Sequence, residues 1–212
     1  MDKTQVFNCD CMQGMSAFED GYFDLAIVDP PYGIGRSGKP KSTSSHGGHK
    51  GFEEKGWDDN RPDIEYFIEL RRVSKNQIIW GANYFVDCLF PSACWLIWDK
   101  GQNIDQADAE LAYTSFNSPI RRKVINRVEL LVEPGETIHP TQKPVKLYKW
   151  LLKNYAKEGD KILDTHLGSG SSRIAAFDMG FEFWGYELDK DYFDASVKRF
   201  NQHKSQLKLF PA

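Results

Sequence analysis

The run DLAIVDPPYG, residues 24–33, holds the residue types for chemistry on a planar amine. Leu25, Ala26, Ile27 and Val28 form a short continuous apolar run, which suits a strand covered on both faces. Pro30 and Pro31 then forbid further strand pairing, because neither has an N–H to donate. Asp29 precedes them and Tyr32 follows. Two prolines would stiffen the backbone so that a carboxylate and a carbonyl stand at fixed positions beside a flat ring. Such a site could grip a planar group bearing an amino substituent. The plainer reading is a strand terminator with Tyr32 packed over the strand end.

A second stretch, ILDTHLGSGSSRIAAF (residues 162–177), carries complementary chemistry. An apolar strand ends in Asp164, passes Gly168 and Gly170, and enters a helix capped by Ser171 or Ser172. Glycines let a backbone approach a ligand closely, and a helix start presents free N–H groups. The spacing is neither G-x-G-x-x-G nor a P-loop. GYELDKDY (residues 185–192) sets Glu187 at the next strand end, about twenty residues on, where an acid reaches ribose hydroxyls in nucleoside-binding sheets. Two acids around a nucleoside pocket, with no phosphate-binding lysine, suggest a cationic ligand. S-adenosylmethionine, with its sulfonium and ammonium groups, meets that description.

The elements that must position these residues alternate. Seven strands are predicted: Gln5–Asn8, Asp24–Val28, Gln77–Trp80, Cys94–Trp98, Glu110–Phe116, Lys161–Thr165 and Phe183–Glu187. Helical spacing lies between them, in Ile64, Phe67, Ile68 and Arg71, and again in Val145, Tyr148, Leu152 and Tyr155. Gly159 and Gly180 are stop signals, and Phe193, Val197 and Phe200 mark a closing helix. Alternation of this kind gives a mostly parallel sheet with helices on both faces. The exception is CWLIWDKGQNIDQADAELAYTSF, where a short connection implies an antiparallel pair.

The 212 residues, 41% hydrophobic, suffice for one core and one domain. No stretch reaches the length of a membrane span, and the start MDKTQVFNCD has no apolar signal core, so an intracellular protein is expected. The four cysteines lack zinc-ligand spacing; free thiols and no metal are expected. A net charge of −3 means that any polyanion must be met by local patches. Two segments offer them. Gly33–Gly56 is polar and glycine-rich, and a mobile loop is predicted over 33–58, directly after DPPY. Its Arg36, Lys39, Lys41 and Lys50 are candidate DNA contacts, as are Arg121, Arg122, Lys123 and Arg127 in Asn117–Arg127. A solvated surface is the bland alternative for both clusters. Asn83, Tyr84 and Trp98, at or past strand ends, either line a base pocket or serve as core and turn residues.

DPPY, GSGS after a strand aspartate, and HPTQKP (His139–Pro144) together resemble the amino-DNA methyltransferases, which methylate N6 of adenine or N4 of cytosine. With DPPY first, the order matches the circularly permuted group called β, and the resemblance runs from about Gln5 to Phe200. It implies the Rossmann-like α/β fold of S-adenosylmethionine-dependent methyltransferases, with seven strands and one antiparallel. It also implies DNA as partner, through a target base flipped from the double strand. By resemblance, Asp10 would sit near the cofactor adenine, Glu187 on the ribose and Asp164 on the methionine amino group, with Thr141 and Lys143 at the methionine end. Cys11, Asp29, His166, Gly168, Ser169, Gly170 and Ser171 complete the implied cofactor site. Asp29, Pro30, Pro31 and Tyr32 form the implied catalytic set: Tyr32 stacks on the base while the Asp29 carboxylate and Pro30 carbonyl accept the amino hydrogens. The chain departs from the family at Asp164-Thr165-His166, where Asp-Pro-Phe is usual, and at Gly170-Ser171, where Gly-Thr is usual. His166 keeps a flat ring for the cofactor, or is a core histidine with a satisfied hydrogen bond.

The leading expectation is a bacterial or phage cytoplasmic DNA adenine N6-methyltransferase, since an acid at the first motif position usually accompanies adenine and a serine cytosine. The rivals are an N4-cytosine enzyme, an enzyme acting on RNA or a protein amide, and a non-catalytic subunit that binds cofactor or DNA. A homodimer and a cognate restriction enzyme are compatible partners. The target-recognition segment, 117–138, is short, so a short or degenerate recognition site is expected. If the 33–58 loop clamps phosphates, replacing Lys39 and Lys41 with Ala weakens DNA binding and flattens its salt dependence, because fewer counterions are released. Binding titrations across salt concentrations measure this, and an unchanged slope would reduce the loop to a solvated connector.

Overall fold

Alternate residues of one strand vanish into two different cores. The computed structural model describes residues 2–38, 51–102, 107–126, 129 and 137–209. In β2 (Phe23–Val28), Leu25 and Ile27 join one apolar cluster while Ala26 and Val28 join another. Strand side chains alternate faces, so a continuous apolar run requires cover on both sides. The first face is covered by α3 (Val145–Tyr155), through Leu147, Tyr148, Leu151 and Leu152, and by Ala175 and Ala176 of α4 (Ser171–Asp178). The second is covered by Met15 of α1 (Cys11–Met15) and by Tyr66, Phe67, Leu70 and Val73 of α2 (Ile64–Val73). Each fully buried large apolar side chain contributes about 1.5–3 kcal/mol.

The helical stripe predicted for α2 was displaced. Ile64 and Ile68 are exposed, and of the four expected residues only Phe67 is fully buried. The stripe that faces the sheet is Tyr66, Phe67, Leu70 and Val73. Asp63 caps this helix by accepting the Tyr66 N–H at 3.4 Å. Gly159 and Gly180 follow α3 and α4 with left-handed φ of 87° and 78°, as their reading as stops requires. The long closing helix is α5 (Lys190–Leu209).

The remaining strands are β1 (Thr4–Phe7), β3 (Ser74–Trp80), β4 (Trp95–Asp99), β5 (Ala109–Thr114), β6 (Arg121–Val124), β7 (Lys161–Asp164) and β8 (Glu182–Tyr186). Their order is β1-β8-β7-β2-β3-β5-β4-β6. Among the described residues the sheet therefore has eight strands, one more than expected. The addition is β6, inside the basic segment Asn117–Arg127 that was read as a candidate DNA contact and not as a strand, and it pairs parallel to β4 at the sheet edge. The expected antiparallel pairing of β4 with β5 is present, and β5 also runs antiparallel to β3. All other pairings are parallel. No helix among the described residues is long and apolar enough to cross a membrane.

Past β3 the chain makes a single 3-10 turn, Ala82–Tyr84, entered through Gly81 at φ +67°. A Cβ on Gly81 would lie 2.0 Å from Cε1 of Tyr32, so this backbone packs directly against the DPPY ring. Gly81→Ala is expected to cost about 1–3 kcal/mol through overpacking and the unfavourable φ. Urea unfolding measures it, and a wild-type midpoint would show that Tyr32 is not held there.

Candidate functional site

Four parallel neighbours in the sheet each deliver an acid at the carboxyl end. In the order β1, β8, β7 and β2 these are Asp10, Glu187, Asp164 and Asp29. Strand spacing sets the ends of neighbouring strands about 4.8 Å apart, along the edge where open α/β sheets bind ligands; Asp10 stands past the end of β1, at the start of α1. The structure thus brings together acids that lie up to 177 positions apart in the chain.

Each acid has a different environment. Asp10 is exposed and caps α1, accepting the Met12 and Gln13 N–H groups at 2.8 and 3.3 Å. Beside it burial pushes the Cys11 thiol up to about 12, so it stays protonated. Glu187 accepts the N–H groups of Gly168 at 2.7 Å and Asp189 at 2.9 Å, while Asn8 donates to the Glu187 and Leu188 carbonyls. Leu188, which the sequence reading passed over, stands 70% exposed next to that carboxylate. Asp164 is buried and accepts from the His166 N–H at 3.0 Å and the Ser172 hydroxyl at 2.5 Å. Burial pushes its carboxyl up to about 7, with the charges of Asp29 and Glu187 adding to the rise.

Some expected details were corrected. Gly170, not a serine, caps α4, and its φ of 73° explains the glycine. Ser171 and Ser172 are the first helical residues; Ser171 turns to Arg199 (2.9 Å), with Ser169 Oγ 3.1 Å from it. His166 is half-buried, shares a 2.9 Å hydrogen bond with the Thr165 hydroxyl and meets Tyr66 edge-on. Burial lowers its pKa to about 4, so the ring is neutral.

Asp29 completes the row and sits in a neutralising network. The Tyr32 hydroxyl donates to its Oδ1 at 2.6 Å, and the Lys143 ammonium donates to Oδ2. Lys143, only 3% exposed, also meets Glu110 at 3.2 Å, and Lys100 pairs with Glu110 at 2.7 Å. Two acids and two lysines balance, which is what allows charge at this depth. Burial pulls the Lys143 pKa down, but Asp29 and Glu110 outweigh it and the ammonium is held charged. Burial pushes the Asp29 carboxyl up against the pull of Lys143. Lys143 thus stands on the DPPY side of the site, a partner for Asp29 that the sequence did not announce. Glu110 was also missed; its one signal was an acid at an inward position of a strand.

The Tyr32 ring stacks with Tyr84, centroids 5.1 Å apart and planes 16° apart. Of the three ambiguous residues, exposed Tyr84 therefore joins the DPPY group. Asn83 is an exposed turn residue, and Trp98 is core, its Nε1 donating to the Ile125 carbonyl. In HPTQKP, Thr141 is exposed, with its hydroxyl 3.1 Å from His139 Nδ1. His139 packs between Trp57 and Tyr192, and burial lowers its pKa to about 3.

Among the described residues, the basic candidates Arg36, Arg121, Arg122 and Lys123 are spread over the fold. Arg121, Arg122 and Lys123 lie on β6, four strands from β2, about 19 Å by strand spacing. Alternation sends Arg122 to the opposite face from the other two, and it pairs with Asp99 at 3.4 Å. Arg36 is exposed beside the elbow. Lys39, Lys41, Lys50 and Arg127 lie outside the described residues. The ends of the 33–58 loop are held: the Asp58 carboxylate accepts from Tyr32, Gly33 and Arg36, and Ser37 accepts from Gly56. A groove of about 930 Å³ between α3, α5 and residues 51–55, lined by Phe52, Lys149 and Lys198 among others, contains none of the four acids.

The chain resembles known proteins in sequence and in fold. The type II methyltransferase M2.MboI of Moraxella bovis is 24% identical over 246 residues, covering 96% of this chain and 89% of that protein. M2.DpnII of Streptococcus pneumoniae is 41% identical over 68 residues, 32% of this chain and 25% of that protein. The fold matches the crystal structure of the M1.HpyAVI–SAM complex with a TM-score of 0.62 at 22% identity, covering 92% of this chain and 99% of that one. It matches the cytosine-N4-specific PvuII DNA methyltransferase with a TM-score of 0.63 at 12% identity, covering 97% and 91%. The profile of the DNA methylases, the N6/N4 methyltransferases, matches residues 92–198. With half its length inside that profile and its whole sheet matching the fold, the chain belongs to the DNA methylase family.

Proposed function

We propose that this DNA methylase transfers the methyl group of S-adenosylmethionine to N6 of adenine, on a base turned out of double-stranded DNA. The observation that carries the reading is the sequence of groups along one sheet edge: three acids, then a carboxylate locked beside a tyrosine ring. An acidic donor set suits a ligand with ammonium and sulfonium charges. The buried Asp164 carboxyl, already raised to about 7, is the group that a cation would most favour ionising. Asp10 would hold the adenine end, Glu187 the ribose and Asp164 the ammonium, with Leu188 offering apolar cover.

The cofactor supplies an electrophilic methyl group on sulfur. Tyr32 would stack on the flipped base, which must leave the helix for its amino group to be reached. Asp29 accepts one amino hydrogen; a carboxylate oxygen accepts more than one bond, so Tyr32 and Lys143 need not leave. The Pro30 carbonyl accepts the second hydrogen. Held this way, the nitrogen lone pair is drawn out of ring conjugation and aimed at the methyl group. Positioning and fixed dipoles carry the rate. The raised Asp29 carboxyl suits it to receive the proton released as the N–C bond forms. An aspartate at the first motif position, rather than serine, favours adenine over cytosine.

Methylated DNA digested to nucleosides and analysed by mass spectrometry is expected to contain N6-methyladenine; N4-methylcytosine would move the assignment to the other base. Asp29→Ala is expected to abolish turnover while cofactor binding, followed by calorimetry, weakens less, because the loss falls on the transition state. Lys143 keeps Glu110 as partner in that variant, and a thermal melt checks that it folds.

Asp164 generates a pH dependence. Cofactor affinity is expected to rise from pH 5.5 to 7.5, by up to about tenfold per unit below the carboxyl pKa. Asp164→Asn should bind more weakly and flatten that rise. The sign for stability is opposite: a carboxyl raised from 3.8 to about 7 costs the ligand-free fold stability as pH climbs through that window. Calorimetry and thermal melts at several pH values check both signs.

A further inference from the structure

The DPPY elbow is gripped from behind by a residue outside every motif. Asp58, 3% exposed, accepts the Tyr32 N–H at 2.6 Å and the Gly33 N–H at 3.1 Å on Oδ1, and the Arg36 N–H at 2.8 Å on Oδ2. Its own carbonyl accepts the Gly35 N–H at 2.9 Å. Pro30 and Pro31 have no N–H, so Tyr32 is the first residue after Asp29 whose backbone can be held by a donated hydrogen bond. Asp58 takes that first donor. We infer that Asp58 is the positioning residue of the base site, fixing the backbone from Tyr32 to Arg36 and with it the pose of the Tyr32 ring beside Asp29.

The same short segment reaches the cofactor side. Trp57 lies 5.1 Å from His139, centroid to centroid, and Lys55 pairs with Asp189 at 2.9 Å and Asp191 at 2.6 Å, just past Glu187. Residues 55–58 therefore tie DPPY, HPTQKP and GYELD together. The inference rests on the reading that Asp29 and Tyr32 receive the target base. It differs from simple loop closure, which Ser37 also serves: buried Ser37 accepts the Gly56 N–H at 3.0 Å, a bond between the two ends of the loop and not to the Tyr32 backbone.

Asp58→Ala, Asp58→Asn, Ser37→Ala and Asp29→Ala would be assayed for turnover on unmethylated genomic DNA and for S-adenosylmethionine binding by calorimetry. For Asp58→Ala the expected loss is about 100-fold in kcat, the scale of an ångström-sized misplacement, with cofactor Kd changed less than about threefold. Asp58→Asn keeps an oxygen for Tyr32 and Gly33 but turns an NH2 toward Arg36, so it should recover much of the turnover. Ser37→Ala should stay near wild type. Wild-type turnover in Asp58→Ala overturns the inference. So does an equal loss in Ser37→Ala, no recovery in Asp58→Asn, or loss of cofactor binding along with turnover in both Asp58 variants. If Asp29→Ala turns over normally, the base-site reading itself fails, whatever Asp58 does.

Discussion

A carboxylate at the end of a strand covered on both faces cannot stand without partners, and much of this structure answers that constraint. Asp29 leaves β2 where Pro30 and Pro31 end the ladder. It is met by the Lys143 ammonium and the Tyr32 hydroxyl. Lys143 is itself buried, so it needs a second acid, Glu110, and Glu110 is balanced by Lys100. Removing one member of such a pair costs about 3–5 kcal/mol, since the other charge is left buried and uncompensated. The network therefore ties Asp29 to HPTQKP and to β5.

The sheet sets a second tension. Parallel neighbours point their carboxyl ends the same way, so four acids share one edge. Like charges and burial both work against ionisation there, which is why Asp164 rises to about 7. An ordinary core would replace such a group. Here the cost is carried by the ligand-free fold; in the proposed function a cationic ligand would relieve it, and the strain would help to select that ligand. Phosphate esters are disfavoured at the same edge for the same reason.

The DNA side follows a different logic. The chain is weakly acidic overall, so contact with a polyanion depends on local geometry. Three basic residues adjacent in the chain become a strand, and the strand period divides them between two faces of the sheet edge. Around Tyr32, positioning comes from packing and hydrogen bonds: a glycine backbone against its ring, a stacked Tyr84, and backbone N–H groups donated to the Asp58 carboxylate.

Local patterns in the sequence determined which segments became strands, where helices stopped and which short motifs carried chemistry. Apolar runs, proline pairs and glycines act over a few residues, so they are legible in order along the chain. The α2 stripe was misread because two overlapping apolar faces have the same period, and only the sheet's shape chooses between them. The edge strand β6 was misread because its four residues are nearly all charged and its pairing comes from β4. Tyr84 and Trp98 looked equivalent in sequence, yet one faces the site and the other the core. The pairings within the site were not legible: Lys143 was singled out through its motif, but not as the partner of Asp29. Lys143 lies 114 positions from Asp29, and Asp58 lies 26 from Tyr32 across a polar loop. Neither spacing has a period, because such contacts are made by the sheet order and the burial it imposes, which exist only once the chain has folded.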